Sequence, residues 1–347
     1  MISPLIEFAW KGEDVKRWKK KDPELEIALL KRVRPETAGD PMTEQKWLRT
    51  SLRHLETDLK SQGFAISHPT LARLLKKNGY SLRVNAKIRE DSSDHPERNK
   101  QFEYIAEQVS YRESHNLPVI SVDSKKKELV GNFKNTGVSW RDEVDEVNVH
   151  DFPSDAVGKA VPYGIYDLNK NRGHVYVGQS SDTAEFSTDA ISRWWEESGI
   201  HEYSGLKELL ILGDSGGSNG CRSRLFKKEI QSKLCNRFGL SVTVCHYPRG
   251  CSKWNPIEHR LFSYISINWA GKPLRTYDLL LGYLRGTGTK TGLEVEASLL
   301  KGTYETGKRV LDEEMKQINL EKHSVCPLWN YTIRPNQYES LNREVKI

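Results

Sequence analysis

The chain has 347 residues, of which 37% are hydrophobic and 29% charged, and its formal net charge is +6 at pH 7. That length points to two domains, and no run approaches the roughly 18 apolar residues of a membrane span. The first ten residues lack a basic stretch ahead of an apolar core, which argues against a secretory signal and for the cytoplasm. The five cysteines are odd in number and show no C-x-x-C spacing, so neither a structural zinc site nor a disulfide framework is expected. A pI of about 8.9 permits a nucleic-acid partner.

Residues 1–22 read as a basic arm carrying Lys11, Lys16, Arg17 and Lys19–Lys21. A helix is expected from Pro23 to Leu30, with Leu25, Leu29 and Leu30 facing a core, and a loop over 35–41. Thr43 is the expected N-cap of the next helix, in which Leu48, Leu52, Leu55 and Leu59 recur at helical spacing and which Gly63 ends. After the link Phe64-Ala65-Ile66, Ser67 caps a further helix that stops at Gly79. Leu71, Leu74 and Leu75 point inward there, and Thr70, Arg73 and Lys77 outward. Two short helices with a tight link and a polar, basic free face follow helix-turn-helix logic, with those three residues directed at a DNA groove; the alternative is a plain helical hairpin. Tyr80 to Lys87 form a candidate wing. Residues 23–90 are thus read as a small all-α helix-turn-helix DNA-binding domain.

The polar break Asp91–Pro96 is the expected domain boundary, and residues 91–115 a linker helix with Phe102, Ile105 and Val109 on one side. Strand patterns then dominate: 118–123, 161–168 and 174–178, the last two joined by a hairpin turn at 169–173. A helix follows Asp182 and Thr183 through Phe186, Ile191, Trp194 and Trp195. Next come a strand over 208–214, a Gly-rich loop, a helix through Leu225, Ile230 and Leu234, and a strand over 240–247. The loop 249–254 leads into a helix opened by Asn255 as N-cap and Pro256, with Ile257, Leu261 and Tyr264 on its apolar face. This order predicts an α/β domain over 116–285 with a mixed five-stranded sheet flanked by helices. Residues 286–347 read as a C-terminal extension with no assigned chemistry.

Three acids stand at the ends of buried elements. Asp123 ends the first of these strands, Asp214 the fourth, and Glu258 opens the helix after the fifth. Adjacent first and fourth strands would bring the aspartates together, with Glu258 closing the cluster. Three carboxylates so close favour a cation or a raised pKa, and hard oxygen ligands suit Mg²⁺ or Mn²⁺. Two such ions clamp the attacking and leaving oxygens of a phosphodiester. Gly216 and Gly217 allow close approach to phosphate, and Asn219 is a candidate for a ligand or phosphate contact. Lys125, Lys126, Lys127 and Lys253 are candidate contacts to the DNA backbone. Among the other acids, Glu128, Asp151, Asp167 and Asp182, the strand-ending Asp167 is the best rival ligand. His259 reads equally as a phosphate contact or a structural group. Trp254 reads as packing in preference to base stacking, and Trp194 and Trp195 as packing.

Val122-Asp123, Leu212-Gly213-Asp214-Ser215-Gly216-Gly217-Ser218-Asn219-Gly220 and Ser252-Lys253-Trp254-Asn255-Pro256-Ile257-Glu258-His259-Arg260-Leu261-Phe262 resemble the three acidic motifs of the DDE transposases of bacterial insertion sequences. Asn-Pro-Ile-Glu is the most specific of these. The segments Asp123–Gly131 and Val147–Phe152 are similar to one branch of that family. The resemblance covers roughly Asp22 to Lys308. It implies a ribonuclease H-like, retroviral-integrase-like core and two Mg²⁺ or Mn²⁺ ions. It also implies cleavage and strand transfer on double-stranded DNA at element ends and target, by a homo-oligomer in the bacterial nucleoid. Asp123, Asp214 and Glu258 then take the triad's places as catalytic and metal-binding residues. Members of that branch usually carry more N-terminal sequence, including a further helix-turn-helix, so either a truncated gene or a misread start is expected. The rival readings are a ribonuclease H-like nuclease that does not join strands, and a non-catalytic DNA-binding relic.

Overall fold

A computed structural model describes residues 23–33, 37–39, 46–48, 50–80, 96–139 and 143–336. The chain divides into two compact units, Met1–Ile88 and Arg89–Ile347.

The first unit contains α1 (Pro23–Val33), the short strands β1 (Thr37–Gly39) and β2 (Lys46–Leu48), α2 (Leu52–Ser61) and α3 (His68–Lys77). Leu29, Val33, Leu55, Leu59, Ile66, Leu71 and Leu75 form its core; of the leucines expected to face it, Leu25 and Leu74 are only partly buried against it and Leu30 is not part of it. The start of α2 differs from the expectation. Leu48 lies in β2, paired with Thr37 of β1, and the helix begins four residues later. The hydroxyl of Ser51 accepts the His54 N–H and so supplies the N-cap; Thr43 lies outside the described residues, as do the basic arm and most of the candidate wing. Both α2 and α3 end in the paired bonds of a Schellman turn. Phe64 and Gly63 donate to Leu59 and Lys60, and Tyr80 and Gly79 to Leu75 and Lys76. The glycines take φ of +90° and +84°, which other residues adopt only under strain.

The second unit opens with α4 (Arg98–Ser114) and is built on one large sheet. Its strands are β3 (Val119–Ser124), β4 (Glu128–Val130), β5 (Gly158–Asp167), β6 (Arg172–Gly178), β7 (Glu208–Asp214), β8 (Ser241–Tyr247), β9 (Glu294–Leu299), β10 (Leu320–Lys322) and β11 (Asn330–Ile333). The order across the sheet is β10-β11-β8-β7-β3-β5-β6-β9, with β4 added on β5. The five expected strands are its centre, β8-β7-β3-β5-β6. There β7 runs parallel to β3 and β8, while β5 is antiparallel to β3 and β6. That is a ribonuclease H-like mixed sheet. The segment beyond residue 285, left without a role by sequence, supplies both outer edges: β9 beside β6, and β11 with β10 beside β8.

Side-chain alternation along β3 gives each face its own cover. Ile120 and Val122 face a core shared with α5 (Ala184–Trp194), α7 (Arg224–Ile230) and the wide π-helical turn Gln231–Asn236. Trp194 and Trp195 are buried there, as expected; Trp195 begins the π turn that leads to α6 (Ile200–Glu202). Val119, on the opposite face, packs with Leu210, Leu212 and Ile105 of α4. Over β5 and β6 on that side lie a helix spanning 256–268, whose last part is α8 (Ser263–Asn268), and α9 (Tyr277–Arg285). A final short helix, α10 (Asp312–Lys316), precedes β10.

The 256–268 helix lies unusually close to the sheet. A Cβ on Gly164 would come within 2.5 Å of the Phe262 ring and 2.9 Å of Ile257, and one on Gly173 within 2.5 Å of Leu261. Two strand glycines thus set the depth at which this helix rests. Ile257 and Leu261 are fully buried, while Tyr264 is 38% exposed and stands at the rim of the expected apolar face.

Candidate carboxylate site at the strand ends

Because β3 and β7 run parallel with Val122 opposite Gly213, Asp123 and Asp214 come next on neighbouring strands at the same end of the sheet. Both are half-buried, as is Glu258. The strands place the aspartates; the 256–268 helix brings Glu258. Glu258 comes near enough to Asp123 to act on its ionisation. Burial, then the charge of Asp214, then Glu258 push the Asp123 carboxyl up to about 8, against the opposing Ser124 N–H, which donates to its Oδ1 at 2.8 Å. Asp214 is also raised, by burial and by Glu258, while a hydrogen bond from Asn255 opposes the shift.

Asn255 does not act through its side chain as the expected N-cap. It is fully buried and turned toward the strands. Its Nδ2 donates to Asp214 Oδ1 at 3.2 Å and to the Val122 carbonyl at 3.4 Å, and its Oδ1 accepts from Ser121 Oγ. Ser121 Oγ in turn accepts the Ile257 N–H at 3.0 Å. A strand serine therefore satisfies a donor at the helix start, and the asparagine amide is free to fix an aspartate. Ser121 was not a sequence candidate. Its signal was available: it lies two residues before Asp123, on the same face of the strand. The helix opens with the π-helical turn Glu258–Phe262, in which the Ser263 N–H reaches back to the Glu258 carbonyl. Such wide turns recur at functional sites.

The other candidates divide. Lys126 and Lys127 are exposed. Lys125 instead folds back on the Glu258 helix: its Nζ donates to Ser266 Oγ at 2.6 Å and sits 5.7 Å and 5.5 Å from the Phe262 and Trp269 ring centroids. Burial lowers its pKa. Asn219 is 3% exposed and accepts from Tyr163 Oη at 2.8 Å, so the short turn after Asp214 directs it into the core and not toward a phosphate. Lys253 is exposed, with its ammonium 5.3 Å from the Trp254 ring centroid. Its carbonyl pairs with His259 Nε2, which gives that histidine a structural partner. Trp254 departs from the packing expectation: it is 54% exposed. Asp182 accepts from Ser124 Oγ at 2.9 Å, beside Asp123 in the chain.

In the first unit, Thr70 corrects the expectation of an outward-facing side chain. It is 7% exposed and its hydroxyl pairs with Ser67 Oγ at 3.2 Å, because position 70 falls beside Leu71 on the inner side of the first turn. Arg73 is exposed. Lys77 is exposed but holds Glu26 of α1 at 2.6 Å, an ion pair within the unit.

Among the described residues, no three His, Cys, Asp or Glu side chains are arranged to coordinate a metal ion as they stand. The donor chemistry nonetheless suits one. Three carboxylates are hard oxygen ligands, and a divalent cation would offset both the burial and the like-charge neighbours that raise Asp123. No described helix is long and apolar enough to cross a membrane.

Residues 28–335 match the family model described as the Rhodopirellula transposase DDE domain. Among solved structures, the chain resembles a Mos1 transposase paired-end complex with the left transposon end, at 12% identity and a TM-score of 0.41 over 76% of this chain and 69% of that one. It also resembles a Mos1 mariner paired-end complex with Mn, at 14% identity and a TM-score of 0.39 over 77% and 70%. No curated protein is a significant match to the chain.

Proposed function

The chain belongs to the Rhodopirellula DDE transposase family, and from that premise we propose that it cleaves DNA at the ends of a mobile element and joins the freed ends to target DNA, using Asp123, Asp214 and Glu258. The observation that carries this reading is the mutual approach of three carboxylates from separate elements, in a setting where burial first, and then the neighbouring acids, push Asp123 up to about 8. A structural ion pair would lower a carboxyl pKa; a cluster of one sign is an arrangement made for a cation.

Asp123, Asp214 and Glu258 would hold the Mg²⁺ or Mn²⁺ ions. A bound pair supplies activation of the attacking oxygen and stabilisation of the leaving one. The chain's own residues keep the geometry. Asn255 fixes the Asp214 carboxylate, Ser121 anchors the start of the helix that carries Glu258, and Gly164 and Gly173 let that helix lie close to the sheet. Exposed Lys126 and Lys127 lie next to the site in the chain, where they suit the DNA backbone. Water attacks the phosphodiester at the element end, and the freed 3′-hydroxyl then attacks target DNA; both are in-line displacements at phosphorus. In the first unit, Arg73 and Lys77 are exposed basic residues on α3 that suit double-stranded DNA.

The test is a cutting and joining assay with labelled element-end DNA and Mg²⁺ or Mn²⁺. Wild type nicks and joins, and Asp214→Ala abolishes nicking while binding persists. A wild-type protein that binds but never nicks overturns the catalytic reading. One that cuts but never joins leaves a ribonuclease H-like nuclease.

A further inference from the structure

The loop that delivers Glu258 carries an aromatic side chain that the carboxylate chemistry does not use. Trp254 closes a short 3₁₀ turn, Ser252–Trp254, and its indole is 54% exposed. The turn is held firmly. The Trp254 N–H donates to the Cys251 carbonyl at 2.8 Å, the Asn255 N–H to Ser252 at 2.8 Å, and His259 Nε2 engages the Lys253 carbonyl. Phe102 of α4 supports the indole edge-on at a centroid distance of 6.1 Å. A large apolar surface is thus fixed in place and presented to solvent, where burial would have been the more stable arrangement.

Two further observations say what covers it. Arg249, Lys253 and Arg260 are exposed on the same stretch of chain, where Glu258 is the sole acid between positions 249 and 260. An apolar ring bordered by cations suits a base on a phosphate backbone better than an apolar protein surface. The second is position. Asn255, the next residue, about 3.8 Å away along the chain, touches Asp214 at 3.2 Å.

We infer that Trp254 is a stacking platform for one unpaired nucleobase next to the phosphodiester held at Asp123, Asp214 and Glu258. This rests on the reading of the carboxylate site as the place where DNA is cut. Stacking on the indole would favour the unpaired state of that base and so position the adjoining phosphate. Every base has a flat face, so the platform accepts any of the four.

The test uses the full chain, Ca²⁺ in place of Mg²⁺, and two probes of equal length. One is a blunt duplex; the other ends in a single-stranded overhang with 2-aminopurine at its first unpaired position. Wild type quenches the 2-aminopurine and prefers the overhang. Trp254→Ala loses the quenching, and its preference falls on the order of tenfold, while affinity for the blunt duplex and the thermal midpoint hold. Trp254→Phe keeps most of both. Quenching and preference that survive in Trp254→Ala overturn the platform. Both readouts are independent of nicking, so a failure of catalysis is seen separately in the cutting assay.

Discussion

Two strand-ending aspartates in the same sheet show what distinguishes a carboxylate proposed for catalysis from a structural one. Asp167 ends β5 opposite Ile120, toward the far end of β3 from Asp123. It is 3% exposed, and burial raises its pKa, as it does for Asp123 and Asp214. Its surroundings supply donors. Tyr203 Oη reaches both oxygens at 2.8 and 2.9 Å, and the Asn169 and Lys170 N–H groups reach Oδ1 at 3.0 and 3.2 Å. Asp123 has a single backbone donor and two carboxylate neighbours. Asp167 closes a turn; Asp123 faces two other acids, and ionising it would create charge that the protein leaves uncompensated. Burial is common to both, and the sign of the neighbours separates them.

The strongest way to break this comparison is to neutralise each acid. Asp214→Asn should lower the cleavage rate by roughly 10³-fold or more with the fold intact. Asp167→Asn should cost about 1–3 kcal/mol of stability through mismatched buried hydrogen bonds while folded molecules keep near-normal turnover. Single-turnover rates corrected for folded fraction, read beside thermal melts, decide between them. Equal losses of rate would erase the distinction.

A second prediction moves the third carboxylate without touching it. Gly164→Val places a side chain against the Phe262 ring and Ile257, and should cost about 1–3 kcal/mol by overpacking and withdraw Glu258. Cleavage should fall by more than the lost stability explains. Gly173→Ala meets the flexible end of Leu261 and should be milder in both measurements.

A smaller effect is expected at Asn255. Asn255→Ala removes the amide from Asp214 and leaves Ser121 Oγ with one partner fewer, at a cost of about 2 kcal/mol. The Mn²⁺ concentration needed for half-maximal cleavage should rise, and saturating metal should restore part of the rate.

The last prediction concerns pH. Folded Asp123 keeps its proton to about 8, whereas an unfolded aspartate releases it near pH ~4. The folded state therefore binds more protons in between, and metal-free stability should decline as pH rises through that window. Asp123→Asn should flatten the decline, visible in thermal midpoints measured with chelator present. Mn²⁺ affinity, measured by titration calorimetry, should rise with pH up to about 8, because binding displaces that proton.

Much of this was legible in the chain. The runs 118–123, 161–168, 174–178, 208–214 and 240–247 carry the apolar density of buried strands, and each became one. The parallel pairing of β3 and β7 follows from the α/β order, which brings two strand-ending acids side by side. What stayed hidden depends on long-range partners. Nothing local says that Ser121 will satisfy a helix donor at Ile257, or that Asn255 will prefer Asp214 to its own helix. Thr70 looked outward by spacing, yet a hydroxyl partner at Ser67 let it sit inside. Trp254 looked like core by residue type, and only the path of the loop exposes it. The extension beyond residue 285 was unreadable because its strands pair with others far back in the chain.

Those late strands also set an order of assembly. β9 and β11 close the two sides of the sheet, and both are made long after the helical unit. The helical unit needs only contacts from its first eighty or so residues. At about 5–20 residues per second, a chain on the ribosome would carry a folded helical unit for on the order of tens of seconds before its carboxylates could be locked together. The proposed site would thus come together well after the helical unit has folded.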